Sequence, residues 1–240
     1  VGDPWQSIYG FRGAKRGGME ALSARYRMEE KTVSISFRCP ERIAEVAQAR
    51  VPQFRWSKPG GIYARFDRLR AADIPDDSAI ICRNNAPLYK VAFKLLSARR
   101  SVSISGSDIG PRLVRIMQKL GTESIHRDDL ILRIFEWEET KLKSSNAPKT
   151  IHDMAECMRV FATFGETLGQ AVAYAEYLFK QQGAIKLMTG HKSKGGEWDR
   201  VYHLDPWLIG EDDQERNLWY VITTRAKEEL YEIDYKDIQW

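Results

Sequence analysis

The chain has 240 residues, 43% of them hydrophobic and 29% charged, with a formal net charge of +4. That is enough apolar material for one ordinary core and a smaller satellite domain, and it excludes a compositionally disordered chain. So small a positive excess permits a nucleic-acid partner without arguing for one, and the argument has to come from where the basic residues sit. Cys39, Cys82 and Cys157 are odd in number, widely spaced and without CxxC pairing. This favours free, reduced thiols and a cytoplasmic location over a disulfide framework or structural zinc. No apolar run approaches the roughly 18 residues of a membrane span, and the N-terminus has neither a basic start nor an apolar signal segment, so no membrane partner is predicted. The chain opens on Val1 and is inside a dense polar motif within a few residues, which reads as a fragment of a longer protein.

In chain order, short β-branched or apolar runs at 33–36, 62–66, 79–82, 102–105, 185–189, 201–204 and 230–233 alternate with amphipathic patterns. Such alternation predicts an α/β fold with a mainly parallel sheet flanked by helices. The segment 40–51 opens like a helix with Pro40 at its first turn. The segment 87–100 carries Leu88, Val91, Ala92, Leu95 and Leu96 at helical spacing. From 111 to 182 the pattern changes to helices at 128–143, 151–164 and 168–181, with the polar stretch 144–150 as a connector. This part reads as a small helical insertion, giving boundaries at 1–26, 27–110, 111–182 and 183–240. No internal repeat or low-complexity tract is present.

Four segments carry chemistry. In VGDPWQSIYGFRGAKRGG, residues 1–18, Gly2 and Asp3 end a strand and Gln6 offers an amide able to orient water or contact a phosphate oxygen. Tyr9, Phe11 and Arg12 make an aromatic and basic surface suited to stacked bases, or alternatively the two aromatics are simple core residues. In ISFRCP, residues 35–40, Phe37 can cover a planar base and Arg38 can reach a phosphate; the bland alternative for Arg38 is a surface ion pair. In AIKLMTGHKSKGGEWDRVYHLD, residues 184–205, a strand leads into a loop with His191, Lys192, Lys194, Gly195 and Gly196. Glycines let the backbone approach a polyanion, the lysines supply charge, and Glu197 can accept from a sugar hydroxyl. In QERNLWYVITTRAKEELYEID, residues 214–234, Leu218, Val221 and Ile222 mark the buried face of a helix ending near Arg225. Arg216 and Arg225 lie about two and a half turns apart, on roughly opposite sides, which alone describes an amphipathic helix with solvated charges. No segment matches G-x-x-x-x-G-K-[ST].

In this order the four blocks resemble the later motifs of the UvrD/Rep/PcrA helicases, superfamily 1 DNA motors. Their pattern runs GD-x-x-Q-S-I-Y-x-F/W-R-G-A, a strand with N-Y-R-S, L-M-T-x-H-x-x-K-G-L-E-F, then E-x-R-R-L-x-Y-V-x-x-T-R-A. The resemblance is close over 1–40 and 184–233, and the insertion matches only by position. It departs at Gly196, where the family has Leu, at Trp198, where it has Phe, and at 36–39, where Ser-Phe-Arg-Cys replaces Asn-Tyr-Arg-Ser.

The resemblance implies a RecA-like domain of the P-loop NTPase type. It also implies a role as the C-terminal part of an ATP-dependent helicase or translocase, with DNA repair among the family's settings. ATP with Mg²⁺ would lie against a first RecA-like domain upstream of Val1 that holds the metal ligands, and this piece alone would be inactive. Gln6 would couple the γ-phosphate to single-stranded DNA, with Arg38 and Arg225 as the two arginines that reach that phosphate. Phe37 would stack on adenine and Glu197 would contact the ribose. Tyr9, Phe11, Arg12, Thr189, His191 and Lys194 would face the DNA. Two other readings are the motor part of a helicase-nuclease and a catalytically dead nucleic-acid-binding module.

Overall fold

The computed structural model describes residues 2–10, 13, 17–105 and 109–240. Phe11 and Arg12, singled out above, lie outside the described residues. The chain starts with a 3₁₀ turn, Pro4–Gln6, capped by Asp3, whose carboxylate accepts from the Trp5 N–H; proline at its first position suits a turn that needs no donor there. Helix α1 (Gly18–Tyr26) buries none of its residues. Strand β1 (Ile35–Ser36) pairs in parallel with β2 (Arg55–Trp56) across helix α2 (Glu41–Ala47), so the predicted 33–36 run forms a ladder only at its end. Then come β3 (Ile62–Phe66), β4 (Leu69–Arg70), β5 (Ser78–Cys82), α3 (Asn85–Ser97) and β6 (Val102–Ile104). Four helices follow: α4 (Ile109–Gln118), α5 (Arg127–Leu142), α6 (Pro148–Phe164) and α7 (Leu168–Phe179). The chain ends with β7 (Ile185–Thr189), a short helix α8 (Gly190–Ser193), β8 (Trp198–Leu204), α9 (Asp213–Thr223), β9 (Ala226–Ile233) and β10 (Ile238–Gln239).

Six strands form one sheet in the order β3-β9-β8-β5-β7-β6, and the pairs β3–β9, β9–β8, β8–β5 and β7–β6 are parallel. A parallel sheet covered by helices buries its inner strands on both faces. Accordingly β5, Ser-Ala-Ile-Ile-Cys, is buried at all five positions. The fold is therefore the mainly parallel α/β sheet that the alternating pattern predicts, and it is consistent with the RecA-like type that the helicase resemblance implies. Several details differ from the sequence reading, among them that β8 and β9 begin before the predicted 201 and 230. Helix α6 begins at Pro148, inside the predicted connector, because proline fits the first helical position; and 190–193, read as loop, closes one helical turn.

By compactness the chain divides into two units. The first comprises residues 1–67, 77–83 and 190–234. Here Ile43, Ala44 and Ala47 of α2 are buried, and Ala47, Val51 and Tyr220 form a small core against which Trp5, Phe54 and Trp219 pack. The second comprises 68–76, 84–189 and 235–240. Its helices meet through an aromatic cluster in which Phe161 contacts Tyr89, Phe93 and Phe179, and Phe93 contacts Phe164 and Tyr174. Such pairs contribute about 0.5–1.5 kcal/mol each beyond their buried area.

Two polar devices hold the second unit. The Asp153 carboxylate of α6 accepts from the Asn85 and Ala86 N–H groups and the Asn85 amide, capping α3, whose own N-cap Asn84 makes no side-chain cap bond. Glu138 of α5 is buried and accepts from His152 at 2.6 Å and Arg159 at 2.8 Å, both on α6. Burial pushes its carboxyl up, but the bonds from Arg159 and His152 outweigh that and hold it below its ordinary range.

Candidate functional site

The site lies in the first unit and is built around Arg225. Helix α9 ends at Thr223, and the Arg225 N–H bonds back to the Ile222 carbonyl, which turns the arginine side chain inward. Its residue is 2% exposed, and all three guanidinium nitrogens are occupied. Nε donates to the Val221 carbonyl at 2.8 Å, one terminal nitrogen to the Gly196 carbonyl at 3.0 Å and the other to Thr224 Oγ1 at 3.0 Å. These acceptors are neutral, and among the described residues no carboxylate lies within ion-pair distance. Burial, and then the positive charge of Arg38, draw its pKa below the ordinary arginine value. A buried cation without a counter-ion is costly to hold, so this one is kept by geometry at the expense of electrostatic comfort.

Arg38 follows β1 in a turn organised by Ser36, whose hydroxyl accepts from the Arg38 and Cys39 N–H groups. Pro40 then serves as N-cap of α2. The Arg38 Nε donates to Glu197 Oε2 at 2.5 Å, and a terminal nitrogen reaches the Thr224 carbonyl at 3.4 Å. Both side chains of this ion pair are more than a third exposed, so solvent screens it and its stabilisation is small. Glu197 stands immediately before β8, and the Trp198 N–H donates to the Arg225 carbonyl, which holds the acid beside the arginine. Phe37 is 80% exposed, with its ring free of the core. Cys39 is buried, and burial pushes its thiol up.

The N-terminal motif docks on α8 and α9 of the same unit. The Gln6 amide donates to Asp3 Oδ2 at 2.8 Å, so in this arrangement it caps its own turn. Lys194 donates to the Gln6 carbonyl at 2.7 Å and lies over the Tyr9 ring at 5.3 Å. The Tyr9 hydroxyl donates to the His191 carbonyl at 3.0 Å, and the two rings sit 6.1 Å apart, tilted. Asn217 of α9 donates to the Ser7 carbonyl, and the Arg50 guanidinium lies over Trp5 at 4.8 Å. Gly190 lets α8 pack on α9, since a Cβ there would come within 3 Å of Leu218 and Ile222.

Of the residues singled out from sequence, Arg38, Glu197 and Arg225 are brought together, as are Gln6, Tyr9, His191 and Lys194. Phe37 is adjacent to Arg38 in the chain. Thr189 closes β7 in the second unit, half-buried. Sequence reasoning passed over Thr224, Ser36, Asp3 and the Gly196 carbonyl, which orient the named side chains. The Thr-Arg pair at 224–225 was the one signal for them, because a carbonyl or a capping carboxylate leaves no residue pattern.

Arg38 and Arg225 thus both bond to Thr224 within a mainly parallel α/β fold. Residues 185–231 match the family of the UvrD-like helicase C-terminal domain. That segment contains His191, Lys194, Glu197, Thr224 and Arg225 and spans less than half of the chain. No curated protein sequence matches the chain. Among solved structures, the C-terminal domain of a possible DNA helicase from Lactobacillus plantarun WCFS1 is similar with a TM-score of 0.40 and 13% identity, over 85% of this chain and 90% of that one.

Proposed function

We propose that the chain is the C-terminal part of an ATP-dependent DNA helicase or translocase acting on single-stranded DNA, in which Arg38 and Arg225 meet the terminal phosphate of ATP. The observation that carries this reading is the buried Arg225 guanidinium, held by neutral acceptors and next in the chain to Thr224, whose carbonyl receives Arg38. Preorganised cations aimed at developing phosphate charge are a principal means of catalysing phosphoryl transfer, and an arginine of this kind is worth about 10³–10⁵ in rate. The fit to a triphosphate is chemical: planar donors in pairs match its oxygens, and a buried cation gains a counter-ion only when the anion arrives.

Arg38 exchanges Glu197 for phosphate in this scheme, which releases Glu197 toward the ribose, while exposed Phe37 offers a face to adenine. Tyr9, His191, Lys194 and Thr189 belong to the DNA side, with Phe11 and Arg12. ATP brings Mg²⁺, and the reading assigns that ion no ligand from this chain. The sequence holds no phosphate-cradling G-x-x-x-x-G-K-[ST] loop, so these 240 residues alone are expected to hydrolyse no ATP.

The test is the single-stranded-DNA-stimulated ATPase of the natural full-length product, wild type beside Arg225→Ala. We expect hydrolysis in the wild type and a loss of about 10³-fold or more in the variant. No activity in the wild type, or equal activity in the variant, overturns the reading.

A further inference from the structure

Thr224 is shared by both arginines. Its hydroxyl donates to the Tyr220 carbonyl at 2.9 Å, which orients the oxygen, and a lone pair then accepts from Arg225 at 3.0 Å. Its backbone carbonyl accepts from Arg38 at 3.4 Å and lies 3.8 Å from the Cys39 thiol. Thr224 itself is 3% exposed and is the C-cap of α9, so the helix end fixes it in place. The opposite side of the Arg225 guanidinium rests on the Gly196 carbonyl. Gly196 is in turn confined by Trp198: a Cβ at Gly196 would come 2.4 Å from the indole ring. The two departures from the helicase pattern at 196 and 198 are therefore one packing unit, with the larger ring filling the space that a side chain at 196 would take.

We infer that Thr224 is the positioning residue of the site, holding Arg225 through its hydroxyl and Arg38 through its carbonyl, with Gly196 and Trp198 setting the second support of Arg225. This rests on the reading of both arginines as phosphate ligands. Thr224 touches no substrate in this role. It sets the direction in which the guanidinium of Arg225 points, and it ties that direction to the position of Arg38. Losing the hydroxyl frees one terminal nitrogen of a buried charged group, and a hydrogen bond to a charged group is worth roughly one to two orders of magnitude in an equilibrium or rate.

Two measurements test it. The first needs no nucleotide. In the 240-residue chain carrying ¹⁵N-labelled arginine, the terminal guanidinium protons of Arg225, assigned by their disappearance in Arg225→Lys, exchange slowly with water in the wild type. They are expected to exchange about tenfold faster in the near-isosteric Thr224→Val, and at the wild-type rate in Thr224→Ser. The second is the DNA-stimulated ATPase of the full-length product. Thr224→Val is expected to lower kcat about 10- to 100-fold with little change in KM for ATP, and Thr224→Ser to restore it.

If Thr224→Val does not fold, Gly196→Ala serves in its place. It drives the Trp198 ring and the carbonyl apart, lowers kcat, and is rescued by adding Trp198→Phe. Wild-type exchange and kcat in Thr224→Val, or equal losses in Val and Ser variants, overturn the positioning role while Arg225→Ala still abolishes activity. If Arg225→Ala leaves activity intact, both the positioning role and the phosphate-ligand reading fall.

Discussion

Arg225 shows how a single residue is placed against its own solvation preference. Its three nitrogens bond to Val221, Gly196 and Thr224 without a carboxylate, and burial with the neighbouring Arg38 draws its pKa down. Replacing such a cation by an apolar chain of similar length removes the desolvation penalty. We therefore expect Arg225→Met to unfold in urea at the wild-type midpoint or above it, while losing the activity proposed for the full-length product. A stability loss of more than about 2 kcal/mol would instead mark the guanidinium as a structural strut. His203 makes a separate prediction. It is buried in β8, its Nε2 has no hydrogen-bond partner among the described residues, and burial pulls its pKa from 6.5 down to about 4. A base held neutral in the folded state contributes stability that is complete above the unfolded pKa and is lost as pH falls from about 6.5 toward about 4. That slope is expected to flatten in His203→Leu, as read from unfolding free energies between pH 7 and pH 4; an unchanged slope would assign the acid lability to other groups.

Among elements, helix α3 takes its N-terminal cap from another helix. Asn84 stands at the cap position and makes no cap bond, whereas Asp153 on α6 accepts from three donors at the start of α3. Substituting a functioning cap by alanine costs about 0.5–2 kcal/mol. Asp153→Ala is accordingly expected to lower the thermal midpoint, and Asn84→Ala to leave it nearly unchanged, with the reverse order refuting the assignment. Element positions themselves were largely legible: strands at 62–66 and 185–189 occur with the predicted ends, because bounded β-branched runs flanked by turn residues have few alternatives. Helix α4 was not read from sequence, although Leu113, Val114 and Met117 are buried on it; Gly110 and Pro111 in its first turn are residue types that disfavour a helix interior. Gly110 is there because a Cβ would meet the Phe179 ring of α7, a reason visible only after folding.

At the scale of the whole molecule, the positive excess is unevenly distributed. Lys and Arg equal Asp and Glu in number in the first unit, which holds the candidate site, and exceed them only in the second. Arg12 and Lys194 are the cations of the first unit that the DNA reading uses, and Lys192 stands next to His191 in the same stretch of chain. With about three phosphates neutralised, binding of a labelled oligo-dT by the 240-residue chain is expected to weaken with salt at a log–log slope of about −2. Fluorescence anisotropy across a salt series measures it, and a slope of −5 or steeper would point to a basic surface beyond these residues. No helix of the described chain is long and apolar enough to cross a membrane.

The sequence by itself determined the alternation of strands and helices, hence a mainly parallel sheet, and it determined which arginines and acids to watch. Periodicity and local motif are written in neighbouring residues, so they survive reading in one dimension. Tertiary structure alone decided that Arg38 and Glu197, 159 positions apart, form an ion pair. It also decided that Arg225 is buried on neutral acceptors, that the Gln6 amide is held by Asp3, and that α3 is capped from α6. Those outcomes depend on backbone carbonyls and on partners distant in the chain. A carbonyl is common to every residue and acquires a role only when folding brings a particular donor within 3 Å of it.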